Sequence, residues 1–165
     1  MSLEKERLQQ DWDEAWTERW VRHLVPEPGA RCFEIELGGV IARGMLIENG
    51  APATCEAFWQ GLPIKGHAIH AAWSGDMIRY VEKVHLAVEQ LENIMTYGAP
   101  GHITYDVEEQ EIALVYGVCG FRLPSGTNKL TIFGQVTENL YELAHMCGRT
   151  RLDGVMPMEL RAVEN

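Results

Sequence analysis

Between residues 67 and 80 the chain reads HAIHAAWSGDMIRY, which places two histidines, a tryptophan, an aspartate and an arginine within fourteen positions. Histidine and carboxylate together are the raw material of metal sites and of acid–base catalysis. His67 and His70 are three apart, a spacing that shares a helix face but sends the two side chains to opposite faces of a strand. No nearby carboxylate–histidine cluster supplies the three or four ligands a metal needs, so both read as structural histidines, and neither metal nor cofactor is expected. Nucleophilic catalysis would need a Ser or Cys beside a His with an orienting acid. Ser74, Ser125 and the four cysteines stand in no such context. Glu34 and Glu36 share a strand face and form a candidate acid–base pair, set against the commoner role of solvated carboxylates on an outer wall. The stretch GVCGFRLPSGTNK has glycines without the strand–loop–helix order of a phosphate loop; it reads as a surface loop, from which Arg122 and Asn128 can face a ligand.

What remains is a binding site of mixed character. His70, Trp73, Arg79, Tyr80, Tyr105, Tyr116 and Arg122 come from neighbouring segments. A concave wall of aromatics with one or two arginines suits a small anionic or carboxylated ligand. Strand parity alone does not decide which of them share a face, because a slip of one residue reverses every side chain. Core packing accounts for each aromatic individually as well.

The elements that must position these residues follow from periodicity and turn chemistry. Residues 3 to about 24 lack Gly and Pro and read as a helix. Leu8, Trp12, Trp16, Trp20 and Leu24 recur every four positions and form one apolar stripe. Three tryptophans are a large load, to be buried on the chain's own domain or at a subunit interface. VPEPGAR ends this helix. RCFEIEL then alternates, with Phe33, Ile35 and Leu37 on one face, and Gly38-Gly39 turns it into VIARGMLIE. APATCEAFWQGLP reads as a short helix with Pro52 at its first position and Glu56 near the positive end of its dipole. GHAIHAAW and MIRYVEKVHLAV are strands joined at Ser74-Gly75-Asp76; residues 89 to 100 read mostly as loop. HITYDV and EIALVYG pair across Glu108-Glu109-Gln110. KLTIFGQV is a strand, TENLYELAHMCG a helix capped by Thr137 with Leu140 and Leu143 inward, and VMPMELRAV a closing strand.

The totals bound the rest. A chain of 165 residues with 46% apolar residues fits one domain with its own core. Fourteen basic against 24 acidic residues give a net charge of −10, which argues against nucleic acid and anionic membrane as partners. No apolar run is long enough to span a bilayer, and MSLEKERLQQDWDEAW is not a signal core. Cys32, Cys55, Cys119 and Cys147 are scattered and read as reduced, mostly buried thiols in a cytoplasmic protein.

Two stretches carry a family resemblance. GGVIARGMLIENGAPATCEAF resembles the cyclophilin start, where a hairpin leads into a Pro-x-Thr helix, here Pro52 and Thr54 with Phe58 inward. KLTIFGQVTENLYEL resembles the cyclophilin Phe-Gly-x-Val strand before the last helix, here Phe133, Gly134 and Val136. GHITYDVEEQEIALVYG, lying between them, looks like a hairpin of bacterial cyclophilin-like proteins of unknown function. The resemblance covers roughly residues 31 to 162. It implies a mainly β fold: a closed cyclophilin-like barrel of about eight strands with two short helices, to which the amphipathic N-terminal helix is added.

The same resemblance implies that the isomerase residues are missing. The cyclophilin Phe-His-Arg triplet falls with its histidine near His70 and its arginine near Ala71, the helping glutamine near Arg79, and the later groove histidine on Leu130. A single well-placed donor is worth on the order of 3–4 kcal/mol of barrier lowering. Catalysis of prolyl isomerisation therefore requires Arg79 to act from a displaced position, and is the alternative. The sequence thus predicts an N-terminal helix and linker over 1–28 and a barrel over 29–165. It points to a small-molecule or peptide binder without isomerase activity, in a homo-oligomer that uses Trp12, Trp16 and Trp20 as interface.

Overall fold

A computed structural model describes residues 2–16 and 25–164. The expected helix over 17–24, with Trp20 and Leu24, lies outside the described residues, as does the side chain of Trp16. In chain order the elements are α1 (Leu3–Trp16), β1 (Cys32–Leu37), β2 (Val40–Leu46), α2 (Pro52–Gly61), β3 (Ile64–His70), β4 (Gly75–Tyr80), β5 (Ile94–Met95), β6 (Tyr97–Gly98), β7 (His102–Asp106), β8 (Glu111–Gly120), β9 (Arg122–Leu123), β10 (Gly126–Thr127), β11 (Leu130–Glu138), α3 (Leu140–Asp153) and β12 (Met156–Ala162).

The alternation in CFEIEL does what period two requires: Phe33, Ile35 and Leu37 are buried while Cys32, Glu34 and Glu36 are only half-buried. Gly38 and Gly39 both take positive φ, 54° and 85°, as a tight hairpin turn demands. Eight antiparallel strands pair in the order β2-β1-β12-β3-β4-β8-β7-β11, and β11 pairs back onto β2, so the sheet closes into a barrel. Bulges in the β4–β8, β7–β11 and β2–β11 pairings bend the wall where it must curve. Gly44 faces the Phe33 ring so closely that any side chain there would run into it.

The two inner helices close opposite ends. α2 follows the end of β2 and precedes β3; its Cys55 and Phe58 enter the barrel. Phe58 meets Phe33 edge-on at 5.8 Å and Phe133 at 5.0 Å. Fully burying one such ring is worth about 1.5–3 kcal/mol. Pro52 opens this helix as expected, but Glu56 bonds Arg31 and Gln60. The carboxylate at the helix start is Glu92, which accepts from the Ala53 and Thr54 amides at 3.1 and 2.8 Å and from the Thr54 hydroxyl at 2.7 Å. There it satisfies orphan N–H groups and faces the positive end of the dipole.

α3 covers the other end, with Leu143 and Cys147 buried among the inward residues of the barrel. Thr137 is not its cap: that residue continues β11, and the helix starts after Asn139, whose φ of 60° turns the chain and whose Nδ2 donates to the Ile41 carbonyl at 2.8 Å. Nor does Gly148 end the helix, which runs to Asp153. A glycine costs a helix about 1 kcal/mol, outweighed here by packing along the barrel mouth, where Tyr116 lies beneath Gly148. Outside the wall, Met77, Ala113, Val115, Cys119, Phe121 and Leu130 belong to a second apolar cluster, with Met95 of β5 packed on it. The segment 89–100 is mostly irregular, holding only β5 and β6. The described side chains of α1, residues 3–15, are all exposed.

Candidate functional site

Interior-facing residues alternate along β3, β4 and β8, where Ala68, Ile78, Tyr80, Ile112 and Leu114 fill the barrel core. Beyond them, at the end that α3 covers, the interior runs out, and His70, Asp76 and Tyr116 take the rim positions. On α3, Leu143 and Cys147 are buried, and Arg151 follows one turn later on the same face. Four polar side chains from four elements therefore meet at one mouth of the barrel.

Their geometry is specific. The Arg151 Nε–H lies 2.9 Å from His70 Nε2 and 3.1 Å from Tyr116 Oη, and Nη2 donates to Asp76 Oδ1 at 2.7 Å. His70 Nε2 and Tyr116 Oη are 2.8 Å apart with their rings edge-on. The other Asp76 oxygen accepts the Val118 amide at 2.9 Å, and Gly117 is so close to this carboxylate that a side chain there would displace it. Burial and then the Arg151 charge hold His70 below its ordinary range, so at neutral pH it is uncharged and Nε2 serves as acceptor. Burial raises the Tyr116 phenol, against the pull of Arg151. Arg151 is half exposed, and its Nη1 meets no acceptor among the described residues. A planar guanidinium fixed on one edge and open on the other is suited to a carboxylate or phosphate.

The seven residues singled out in the sequence divide into three places. His70 and Tyr116 come together at this mouth. Trp73 is exposed on the turn between β3 and β4 beside it, and that turn is tied to Arg122, whose amide donates to Ser74 Oγ at 3.1 Å. Tyr80 and Tyr105 lie in the barrel core. The Tyr80 hydroxyl donates to the Ile64 carbonyl at 3.0 Å; that of Tyr105 donates to the Val84 carbonyl and accepts the Leu86 amide. Arg79 is on the outer wall, 3.3 Å from Glu111 and donating to the Tyr80 carbonyl at 3.1 Å. Arg151 and Asp76 were not among the seven. The signal for Arg151 was the four-residue spacing from Leu143 through Cys147, which reaches it only if the helix passes Gly148.

The remaining candidates have structural partners. His67 points to the opposite face from His70 and pairs with Glu82 at 2.5 Å; its two hydrogen bonds pull that carboxyl down to about 2. Glu34 and Glu36 are bound by Arg161 at 3.4 and 2.8 Å, and Arg43 also reaches Glu34. They form an ion-pair network on the outer wall. Among the described residues no group of three His, Cys, Asp or Glu is placed to hold a metal. The described cysteines are free, three of them buried, and no described helix is long and apolar enough to cross a membrane.

Comparison with known proteins adds the following. No curated protein matches the chain. Among solved structures the fold is similar to that of McbB in complex with tryptophan, at 18% identity and a TM-score of 0.59 over 81% of this chain and 46% of that one. It is also similar to the solution structure of the hypothetical protein AF2241 from Archaeoglobus fulgidus, at 20% identity and a TM-score of 0.56 over 81% of this chain and 95% of that one. The chain thus spans less than half of McbB, and at these identities the likeness is one of fold. A family model described as protein of unknown function (DUF3830) matches residues 33–162, from the first inward phenylalanine of β1 to the last residue of β12, and the chain belongs to that family.

Proposed function

We propose that this protein is a cytoplasmic, homo-oligomeric binding protein with a cyclophilin-like barrel over residues 29–165, and that it takes a small carboxylated molecule or peptide at the α3 mouth without prolyl isomerase activity. The cyclophilin reading is supported by the closed eight-stranded barrel, with one helix after the second strand and one before the last. The observation that carries the binding reading is the Arg151 guanidinium. His70, Tyr116 and Asp76 hold it in place, while Nη1 has no acceptor among the described residues. The exposed indole of Trp73 on the adjoining turn offers an apolar surface to the body of such a ligand.

Native mass spectrometry of the purified full chain, set against its denatured mass, is the first test, because a retained ligand appears as mass lost on denaturation. Calorimetric titration with aromatic carboxylates and with a peptide bearing a free C-terminus follows. Binding that Arg151→Ala reduces at least tenfold is the expected outcome, and binding indifferent to Arg151 would overturn the site. The isomerase alternative needs Arg79 to leave Glu111 and the Tyr80 carbonyl before it can serve a prolyl nitrogen. Its prediction is accelerated cis/trans exchange of a proline peptide that Arg79→Ala abolishes; the binding reading expects exchange at the uncatalysed rate.

A further inference from the structure

Two donors at the α3 mouth share one acceptor. A neutral imidazole has a single acceptor nitrogen, and with His70 Nε2 in that role the ring proton sits on Nδ1. The Arg151 Nε–H lies 2.9 Å from Nε2 and the Tyr116 hydroxyl 2.8 Å from it. The arginine has a second acceptor within reach, since its Nε also lies 3.1 Å from Tyr116 Oη. These three atoms form a triangle that admits two arrangements of hydrogens. In the first, Tyr116 donates to a neutral His70. In the second, a protonated His70 donates from Nε2 to Tyr116 Oη, which still accepts the Arg151 Nε–H, and the phenolic proton is set free. A hydroxyl both donates and accepts and rotates to suit, so the exchange needs no heavy atom to move. Asp76 Oδ1 holds Nη2 at 2.7 Å in both.

Charge decides which arrangement prevails. An imidazolium beside a guanidinium is a like-charge pair, which disfavours protonation of the ring. Burial and then the Arg151 charge keep His70 below its ordinary range, while a hydrogen bond with the Ala71 backbone and the Asp76 charge act the other way. The groups around the ring come from three elements: Arg151 from α3, Asp76 from β4 and Tyr116 from β8. Cys147 of α3, a further neighbour of Tyr116, is pushed up to about 12 by burial and stays neutral. β12 starts opposite Ala68 with Met156 and adds no ionisable side chain there. A carboxylate bound at Nη1 offsets the Arg151 charge, and so removes part of what keeps the proton off His70.

We propose that the α3 mouth takes up its carboxylate together with a proton: the ligand at Arg151 draws the proton onto His70 Nε2, and Tyr116 turns its hydroxyl from the imidazole to the ligand. This rests on the binding reading of the site and adds its regulation. Charge balances, because one carboxylate and one proton enter together. The ligand then has the Tyr116 hydroxyl as a donor besides the guanidinium, so binding is tighter on the acid side. By linkage, ligand and proton each raise the affinity for the other by the same factor.

Calorimetric titration of the full chain with N-acetylphenylalanine tests it, since an α-carboxyl of pKa about 3.3–3.7 stays ionised well into the acid range. Affinity is expected to rise at least about fivefold from about pH 8 to about pH 5. Titrations in two buffers of different ionisation enthalpy are expected to show proton uptake, and NMR is expected to show the His70 titration moved upward by the probe. His70→Gln, whose amide oxygen accepts the Arg151 Nε–H but takes no proton, is expected to flatten the profile and abolish the uptake. Tyr116→Phe removes the second donor and is expected to lose most of the acid-side gain. Binding that needs Arg151 but ignores pH, or weakens towards acid, overturns the coupling and leaves the binding reading intact. A profile unchanged in His70→Gln overturns it too, by placing the proton elsewhere. So does a wild-type His70 whose titration the probe leaves in place, without recourse to any variant. No binding at any pH, of this probe or of a peptide with a free C-terminus, overturns the binding reading and the coupling with it.

Discussion

At the α2 end of the barrel three phenylalanines meet in a dry cluster, with Phe33, Phe58 and Phe133 fully buried. At the α3 end, Arg151, His70, Asp76 and Tyr116 meet half in water. Both ends are closed by a helix, and both helices send apolar side chains inward. The difference lies in what occupies the last position before solvent. At one end it is a ring whose burial stabilises the fold. At the other it is a charge held by three partners, which adds little stability and keeps a donor available.

The largest effect should come from breaking the dry end. Phe58→Ala removes a fully buried ring and is expected to cost about 3–5 kcal/mol, read from urea unfolding. A cost below about 1 kcal/mol would mean that the barrel does not depend on α2. Next in size is a pH effect. At the α3 end, but on β7, His102 is buried, accepts the Ala99 amide at 3.0 Å and is pushed by burial from 6.5 down to about 4. Its folded value is depressed, so between these values the unfolded chain holds the extra proton. Stability is therefore full above about pH 6.5 and falls as the pH is lowered towards 4, by about 3 kcal/mol in all. Thermal melts at several pH values, with His102→Gln as the variant that flattens the slope, check this.

A smaller effect tests what replaces a local cap at α2. Glu92→Ala leaves the first amides of that helix without their carboxylate and is expected to cost about 0.5–2 kcal/mol, measured by urea unfolding. The smallest stability change belongs to the polar end. Arg151→Ala breaks a half-exposed pair and is expected to cost less than about 1 kcal/mol, while the titration of His70 followed by NMR moves upward, because the neighbouring cation that lowers it is gone. His102 titrates unchanged in the same spectra. A large loss of stability, or a His70 that does not move, would erase the distinction between the two ends.

Much of the dry end was legible in the sequence, because its signals are local. Pro52 marked the start of a helix and Phe58 its inward face. Alternation put Phe33 on the inner side of β1, and Gly38-Gly39 set the hairpin. Where a local signal misled, a distant partner had taken over its role. Thr137 looked like a cap, yet it continues β11 in its pairing neighbourhood with β2, and Asn139 makes the turn by reaching Ile41. Glu56 looked like the residue facing the helix dipole, yet Glu92 arrives there from a loop 38 residues after Thr54.

By itself, then, the amino-acid order determined the eight barrel strands and three helices in their sequence along the chain, the inward faces of β1, α2 and α3, and the opposite facing of His67 and His70. These follow from periods of 2 and 3.6 residues and from turn chemistry, which act over a few positions. The amino-acid order did not place the end of β4 at Tyr80, where MIRYVEKVHLAV reads as one longer strand, nor β9, β10 and the last residues of β8 in the stretch GVCGFRLPSGTNK, which reads as a loop. Only the tertiary structure decided that Tyr80 and Tyr105 are core, that Arg79 belongs to Glu111, and that Arg151 stands beside a histidine 81 residues away. Those outcomes depend on strand register, on three bulges and on the closure of β11 onto β2. A shift of a single residue in any of them would turn each side chain of a strand to its other face, and no local pattern carries that information.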